Sequence, residues 1–491
     1  MYKLEFTLKQ HTPIIHFQHE QDGATLRATE VKPKLDRFIL MKLGKEADTN
    51  LVKCNEIYEK GKSIAKDNGW LIDDKKGSLD YKLRIIYQGT KEPTSLNLRI
   101  NPDEVNPKKK FISDKYPLIL ANMVGKPTKS ELKDFIKFDT LDSIILTSLK
   151  KLNDELNNNI IQFFANTNFG NRNNKGFGSF TIIKVNNQHI SFDENNFAPG
   201  TFYLEIPTSN IRKVFESIDF FYKWLKSGIN YSYVRNDRIN PCKSGRYKKA
   251  VLFEYLQSIL PTTGIGENWE KKWIKENFLS LPPKTPPNYN SKYFRALLGL
   301  SDKHTFTKAQ CCTNPEFVST SQRTLRNKIE LQNLHSTHSI DRITSPFTFK
   351  IIIYNNSTKA YILINEDLID LIYSSGLGLS FTFFQENEFQ LNYRIGAATY
   401  DIDFKYPKND LSELDVHLNR IRPHTGIPAL NDKYNSIKEF KNQFKVIDLP
   451  NSKINYMNLL SFFKTRYSRF IAKDFNWIDI TPIQNIELKT V

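Results

Sequence analysis

The fold is decided at the start of the chain, by the stretch Tyr2-Lys3-Leu4-Glu5-Phe6-Thr7-Leu8-Lys9, in which apolar and polar residues alternate. A period of two is typical of a strand with one buried face. Helical spacing follows at Val31, Leu35, Phe38, Ile39 and Leu43. Pro33 suits the first turn of such a helix, where a missing N–H costs nothing. The sequence therefore predicts that a strand and then a helix open the chain.

The same two periods continue through the first half. Alternation predicts strands at 81–87, 96–100 and 180–185, and a second helix is predicted from Leu141, Ile145, Leu149, Leu152 and Leu156. The order strand, helix, two strands, helix, strand is the ferredoxin-like split βαβ arrangement. We expect an α+β protein of tandem ferredoxin-like (RRM-like) domains with insertions, the first over residues 1–207 and the second over 208–491.

The second half is less regular. Strands are predicted at 202–206, 347–353, 360–364 and 379–384, and helices at 211–225 and 456–471. This half is compatible with a second copy of the first topology, although no repeat is visible in its residues.

Composition bounds the class of protein. The chain has 491 residues, of which 13% are aromatic, so it can form a sizeable core. Lys plus Arg number 70 against 53 Asp plus Glu, and the net charge of +17 favours a polyanionic partner. The alternative is a Lys-rich composition that has no such partner.

Cysteine usage and hydropathy indicate a compartment. Four cysteines are too few for a disulfide framework, so we expect a reducing, cytoplasmic setting. A continuous apolar run of membrane-spanning length (~18 residues) does not occur, so no membrane partner is expected.

Basic residues cluster at the predicted first helix. The cluster consists of Arg27, Lys32, Lys34 and Arg37. Lys34 and Arg37 are three residues apart and share a helix face. Arg27 and Lys32 lie near the helix N-terminus, where free backbone N–H groups also favour anions. The cluster predicts phosphate contacts; the alternative is a solvated face, since Glu30 and Asp36 dilute its charge.

A glycine loop, Phe169–Ser179, precedes the strand at 180–185. Gly176 and Gly178 permit positive φ and a close backbone approach, while Arg172 and Lys175 supply charge. Phe177 either stacks on a base or packs inward. The loop matches neither a Walker nor a GxGxxG pattern, so no nucleotide cofactor is expected.

A third basic segment interleaves cations with aromatic residues, which suits single-stranded RNA. Its members are Tyr231, Tyr233, Arg235, Arg238, Lys243, Arg246, Tyr247, Lys248 and Lys249. The alternative is a disordered basic loop.

Four segments together resemble a known family. Residues 24–38, ATLRATEVKPKLDRF, are similar to the LRxTxxKxxLRFxxR signature of CRISPR RAMP proteins, and the end of the glycine loop is similar to their G-rich loop. Residues 294–300, FRALLGL, and 341–347, DRITSPF, are similar to the LGLP and RxxSPxxxK segments, with Lys350 on the motif lysine. In layout the chain resembles the subunit of type III-B (Cmr) effector complexes that carries the opening signature.

This resemblance implies RAMP domains on ferredoxin-like cores that bind CRISPR RNA and target RNA near the 3′ end of the guide. It implies other subunits of the effector complex as partners, and it does not imply catalysis. Arg295, Arg342 and Lys350 join the expected RNA-binding residues through the motifs that contain them.

Catalytic alternatives rest on the loop after the first strand. His11, His16 and His19 could serve as general base and acid in a metal-independent RNA-processing endoribonuclease, with Arg27 stabilising the developing charge. Asp22 could support metal-dependent RNA cleavage, although Asp22-Gly23 is more typical of a turn.

Metal binding has one candidate set, Cys311, Cys312, His335 and His338. Their spacing fits no standard zinc pattern, so no metal is expected. A purely architectural subunit remains the third alternative.

Overall fold

The computed structural model describes part of the chain. The described residues are 1–15, 25–51, 53–94, 100–101, 111–112, 135–231, 246–259, 297–299, 303–311, 324–335, 344–365, 380–395, 398–406, 447–448, 454–467, 469–470 and 486–491.

In the described residues of the first half, three α-helices and two antiparallel strand pairs accompany the main sheet. Its elements are β1 Tyr2–Gln10, α1 Ala28–Ala47, α2 Cys54–Asp67, β2 Leu71–Asp73, β3 Ser78–Leu79, β4 Lys82–Thr94, β5 Ile100–Asn101, β6 Phe111–Ile112, β7 Phe135–Thr147, α3 Lys150–Asn166, β8 Phe180–Val185 and β9 Gln188–His189. The main sheet has the order β4-β7-β1-β8-β9, and its neighbouring strands are antiparallel. Taking β1, β4, β7 and β8 as strands one to four, the order is 2-3-1-4. This is the ferredoxin-like order, and the predicted α+β class is confirmed.

One face of this sheet forms the first core. Leu4, Phe6 and Leu8 of β1 are buried and pack in one apolar cluster with Leu35 of α1 and Leu156 of α3. The alternation at the start of the chain therefore has the predicted effect, because every second side chain of β1 faces the two helices.

The third strand is not where the sequence placed it. Residues 141–147 belong to β7, and the second helix begins only at Lys150. Leu141 and Ile145 are four residues apart, a spacing that a helix and a strand share. Their intervening partner on the buried face is the polar Ser143, which concealed the period of two.

The first helix begins earlier than expected. Its N-cap is Arg27, and Pro33 lies inside the helix rather than in its first turn. The segment 48–79 is an insertion between α1 and β4 of the ferredoxin-like core. It adds α2 and the β2–β3 hairpin beside α1.

The second half repeats this topology. Its elements are β10 Phe202–Ile206, α4 Ile211–Ser227, β11 Ile229–Tyr231, β12 Arg246–Lys248, α5 Val251–Ile259, β13 Lys303–Cys311, β14 Thr324–His335, β15 Phe347–Ile353, β16 Thr358–Ile364, β17 Ser380–Ile395, β18 Ala398–Tyr406, β19 Ile447–Asp448, α6 Tyr456–Tyr467, β20 Arg469–Phe470 and β21 Ile486–Thr490. A second antiparallel sheet has the order β15-β16-β10-β21-β20, which is again 2-3-1-4 when β10, β15, β16 and β21 are counted. Its core packs against α4, α5 and α6.

The second sheet begins upstream of the expected domain boundary. A boundary after residue 207 lies C-terminal to β10. It would assign β10 to the first domain, although β10 is the central strand of the second sheet. The second repeat therefore starts at Phe202.

Two insertions, one between α5 and β15 and one between β16 and α6, together form a further sheet. In it β13, β14, β17 and β18 pair in that order, and β19 adds to β17. Among the helices that the structure describes, none combines the length and hydropathy needed to cross a bilayer.

Candidate nucleic-acid interface

The glycine loop is held by the segment that follows β1. The amide of Gly178 donates to the carbonyl of Pro13 (2.9 Å), the amide of Asn171 donates to that of Ile15 (2.6 Å), and the Thr12 hydroxyl donates to that of Gly176 (2.7 Å). The amide of Gly176 donates to the carbonyl of Asn173 within the loop. The amides of Gly176 and Gly178 are therefore occupied inside the protein, which corrects the prediction that they clamp RNA.

The same loop packs against the second sheet. Phe177 is fully buried and stacks on Phe215 of α4, with ring centroids 4.4 Å apart and planes 17° from parallel. The hydroxyl of Ser179 donates to the carbonyl of Ile351 in β15 at 2.6 Å. Phe177 is thus a core residue of the second domain carried by a loop of the first, and this corrects its predicted role in base stacking.

Lys350, in β15 of the second domain, also joins the two domains. Its side chain is fully buried in β15, and its amine donates to the carbonyls of Thr167 (2.9 Å) and Phe180 (2.7 Å). Burial lowers the pKa of Lys350 well below its usual value. Lys350 is therefore an interdomain link and has no access to RNA, contrary to the motif-based prediction.

The depressed pKa of Lys350 predicts a pH-dependent stability. Between its folded pKa and its unfolded value of 10.5, the unfolded chain binds a proton that the folded chain lacks, so folding stability rises with pH in this window. We expect Lys350→Met to remove this component, and also to lower stability by about 1–3 kcal/mol because both carbonyls lose their donor. Urea unfolding at pH 7 and pH 9.5 measures both effects. Lys60→Met on the exposed face of α2 is the control, and a wild-type-like pH dependence in Lys350→Met would contradict the assignment.

The basic cluster of α1 is largely engaged within the protein. The amine of Lys32 donates to the Asp36 carboxylate and to the carbonyl of Leu79, both at 2.8 Å. The amine of Lys34 donates to the carbonyl of Asn168 at 3.0 Å and pairs with Glu30. These contacts attach α1 to the β2–β3 hairpin and to the start of the glycine loop, which corrects their predicted phosphate contacts.

The other two cations of this cluster are exposed and lie apart. Arg37 lies over the ring of Tyr58 in α2 at 5.2 Å, while Arg27 stands at the N-cap of α1. Lys34 and Arg37 therefore contact different elements, and the four cations do not form one surface.

A different cationic cluster lies where the glycine loop meets α4. We call Arg172, Lys175 and Lys223 the seam cluster. Burial, and then the neighbouring charge of Arg172, lower the pKa of Lys175; Asp219 opposes this and Lys223 adds to it. Burial also lowers the pKa of Arg172. Asp219 is paired with Lys223 at 2.6 Å, and its charge also acts on Lys175.

Arg172 has an unused donor in this cluster. Its Nη1 atom is buried and has no hydrogen-bond partner in the part of the chain that the structure describes. The backbone of Arg172 adopts the left-handed conformation, with φ at 56°, in the glycine loop. Sequence reasoning found Arg172 and Lys175 but missed Lys223, because in sequence it reads as half of an i,i+4 ion pair with Asp219.

The third basic segment is described only in part. Arg246 and Lys248 lie in β12, which pairs with β11, and Lys249 is exposed over the ring of Phe253 at 5.2 Å. Arg235, Arg238, Lys243, Arg295 and Arg342 lie outside the described residues.

Of the three candidate catalytic histidines, only His11 lies in the described residues, and both of its ring nitrogens contact other residues. His11 is buried; its Nε2 lies 2.8 Å from the Thr181 hydroxyl, and its Nδ1 accepts from the amide of Ile353 at 3.1 Å. Both ring nitrogens are thus used at the domain junction, so His11 is not available as a general base. His16, His19 and Asp22 lie outside the described residues.

The two described members of the candidate metal set lie at opposite ends of a hairpin. Cys311 pairs with Thr324 at one end of the β13–β14 ladder, whereas His335 lies beyond the pair Lys303–Gln332 at the other. At about 3.3 Å per residue the two are ~35 Å apart along the strands. Cys312 and His338 lie outside the described residues, and within the described part no cluster of potential metal ligands occurs.

Two ferredoxin-like repeats joined through a glycine loop define the chain as a tandem RAMP-type protein. Family models for the Cmr1 N-terminal domain and the Cmr1 C-terminal domain match residues 1–229 and 247–421. The chain belongs to the Cmr1 family, a family of type III-B CRISPR (Cmr) subunits, as its motifs implied. No curated protein gave a significant match.

Several solved structures resemble the chain at low identity. The crystal structure of Cmr1 from Pyrococcus furiosus in its apo form is 11% identical, with a TM-score of 0.27, and the match covers 48% of this chain and 80% of that one. A chain of the Type III-B Cmr-beta complex bound to cognate target RNA is 13% identical, with a TM-score of 0.30 and coverage of 74% and 94%. A chain from a further state of that complex, with AMPPnP and in the presence of ssDNA, is 16% identical, with a TM-score of 0.29. That match covers 76% of this chain and 99% of the other. Family membership rests on the sequence models and not on these superpositions.

Proposed function

We propose that this chain is a non-catalytic, cytoplasmic RNA-binding subunit of a type III-B effector complex, contacting CRISPR RNA or target RNA near the 3′ end of the guide. The seam cluster is the observation that carries this proposal. The positive charges of Arg172 and Lys223 both act on Lys175, and Asp219, which also acts on it, is paired with Lys223. Such a group is suited to an anionic ligand that the protein itself does not supply.

The energetics of the seam cluster favour a bound phosphate over a purely architectural role. Partly buried like charges repel each other and lose hydration, as the lowered pKa values of Arg172 and Lys175 indicate. An RNA phosphate next to the partly exposed side chains of Arg172 and Lys175 would offset the repulsion between them through charge-assisted hydrogen bonds. The net charge of +17 supplies long-range attraction for the same polyanion.

The arrangement gives no support to catalysis by the first loop. General acid–base cleavage needs a histidine with a nitrogen free to reach the substrate. In His11 the neighbours Thr181 and Ile353 occupy both nitrogens. His11 is therefore not the general base of such a reaction, and His16 and His19 lie outside the described residues.

Charge reversal at the seam cluster tests the proposal. We expect Arg172→Glu/Lys175→Glu to weaken binding of a fluorescein-labelled single-stranded RNA by about tenfold. The slope of log K against log salt should also fall by about 1.4, because each phosphate contact on a single strand contributes ~0.7. Fluorescence polarisation of the full-length chain at several salt concentrations measures both quantities.

Lys150→Glu/Lys151→Glu is the matched control, since both lysines are exposed at the start of α3 and the charge change is equal. A melting temperature and the neutral pair Arg172→Gln/Lys175→Gln separate lost contacts from lost folding. Wild-type affinity and salt slope in the folded reversal variant would refute the assignment of the seam cluster. Discrete RNA cleavage by the wild-type chain would refute the non-catalytic role.

A further inference from the structure

The first sheet has a second face that none of the described helices covers. Leu4, Phe6 and Leu8 of β1 face α1 and α3, so the alternate residues of β1 face the opposite side. The antiparallel register brings neighbours from β4, β7 and β8 onto that same side. We call it the open face, and it consists of Lys3, Glu5, Thr7, Lys9, Lys82, Arg84, Ile86, Thr140, Asp142, Ile144, Leu146 and Lys184.

The open face is strongly cationic. It carries five basic side chains and two acidic ones, Glu5 and Asp142. Both acids have partners, because Glu5 pairs with Lys3 at 2.6 Å and Asp142 accepts from the Thr7 hydroxyl at 2.7 Å. In the part of the chain that the structure describes, the four other cations have no acidic partner: Lys9, Lys82, Arg84 and Lys184.

These four cations border an apolar centre. Lys82 and Arg84 stand on β4 next to Leu146 and Ile144 of β7, while Lys184 stands two strands beyond β7, on β8. Adjacent strands are about 4.8 Å apart, so the two cationic borders are ~14 Å apart. Ile144 and Leu146 are partly exposed between them and do not belong to the core on the helical side.

We propose that the open face binds single-stranded RNA at a site separate from the seam cluster. Phosphates contact Lys82 and Arg84 along one border, and Lys9 on β1 and Lys184 on β8 on the other side of β7, while riboses and bases pack on Ile144 and Leu146. The apolar centre favours a single strand over a duplex, because only unpaired bases present apolar faces to such a surface.

Charge reversal on one border tests this site. We expect Lys82→Glu/Arg84→Glu to weaken binding of a 20-nucleotide uridine RNA to the full-length chain by about tenfold, with the salt slope reduced by about 1.4. The matched control is Lys60→Glu/Lys75→Glu, which makes the same charge change at exposed positions of α2 and the β2–β3 turn, on the helical side. The control variant should stay within about twofold of wild type if long-range attraction alone changes. Because Lys82 and Arg84 are exposed, melting temperatures should be unchanged.

Three outcomes decide the proposal. Equal losses in the open-face and control variants would overturn it, since net charge alone would then explain the binding. Wild-type RNA affinity, combined with lost assembly with other effector subunits, would overturn it in favour of a protein partner. A loss specific to the open-face variant supports it.

The seam and open-face sites can fail separately. In the Arg172→Glu/Lys175→Glu background, the open-face reversal should weaken the remaining binding by about the same factor, because separate sites contribute independently. If only the seam variant lost affinity, the proposed function would stand and the open-face site would fall. If only the open-face variant lost affinity, the reverse would hold.

Discussion

Replacing Phe177 by alanine is expected to lower the free energy of unfolding by about 3–5 kcal/mol, the usual cost of truncating a fully buried phenylalanine. Phe177 is fully buried and lies in the core of the second domain, stacked on Phe215, although its backbone belongs to a loop of the first. The loss should therefore appear as a destabilisation of both domains together. Urea denaturation followed by circular dichroism measures it.

The exposed Tyr2 provides the control for Phe177. Tyr2→Ala removes an aromatic ring that is 41% exposed, and it should cost less than about 1 kcal/mol. If Phe177→Ala kept wild-type stability but lost RNA affinity, the ring would instead stack on a base, as the sequence alone permitted.

The second large effect is expected at Gly178. Its φ is 63°, and an added Cβ would overlap the carbonyl oxygen of Phe169. The backbone has little freedom to move, since Gly178 donates to Pro13 and accepts from the amide of Phe169. We expect Gly178→Ala to cost about 3 kcal/mol or more, of which ~1–2 kcal/mol is the left-handed backbone and the rest is overpacking.

Gly200 separates these two contributions. Its φ is also positive, at 81°, but an added Cβ would meet nothing closer than Met457 Cε at 3.9 Å. Gly200→Ala should therefore show the backbone cost alone, about 1–2 kcal/mol. Equal losses at Gly178 and Gly200 in thermal or urea unfolding would contradict the close packing of the glycine loop.

Strand and helix periods were enough to predict the first repeat. The predicted order of the elements was right, but one strand was misplaced. The chain between β4 and β7 is an insertion, and these two thirteen-residue strands pair across it. The second repeat was expected and most of its core elements were predicted, but no repeat is visible in the residues, since β10 and β15 are separated by more than a hundred residues of inserted chain. The paired strands become neighbours only in the folded protein.

The RNA-binding residues were harder to predict for a related reason. Lys32, Lys34 and Lys350 read as free cations in sequence, but each finds carbonyl acceptors in a distant element. Conversely, Lys223 reads as half of an ordinary i,i+4 pair with Asp219, and only the fold places it near Lys175. A side chain's tertiary neighbours decide whether its charge is used inside the protein or is left for a ligand.

The most direct measurement of the central claim is photo-crosslinking of 4-thiouridine RNA to the full-length chain, with the linked peptides identified by mass spectrometry. If the seam cluster binds the RNA backbone, crosslinks should fall in the glycine loop around 172–175 and in α4 around Lys223, and Arg172→Glu/Lys175→Glu should abolish them. Bound RNA that crosslinks only to other segments, with a yield unaffected by that double reversal, would contradict the claim.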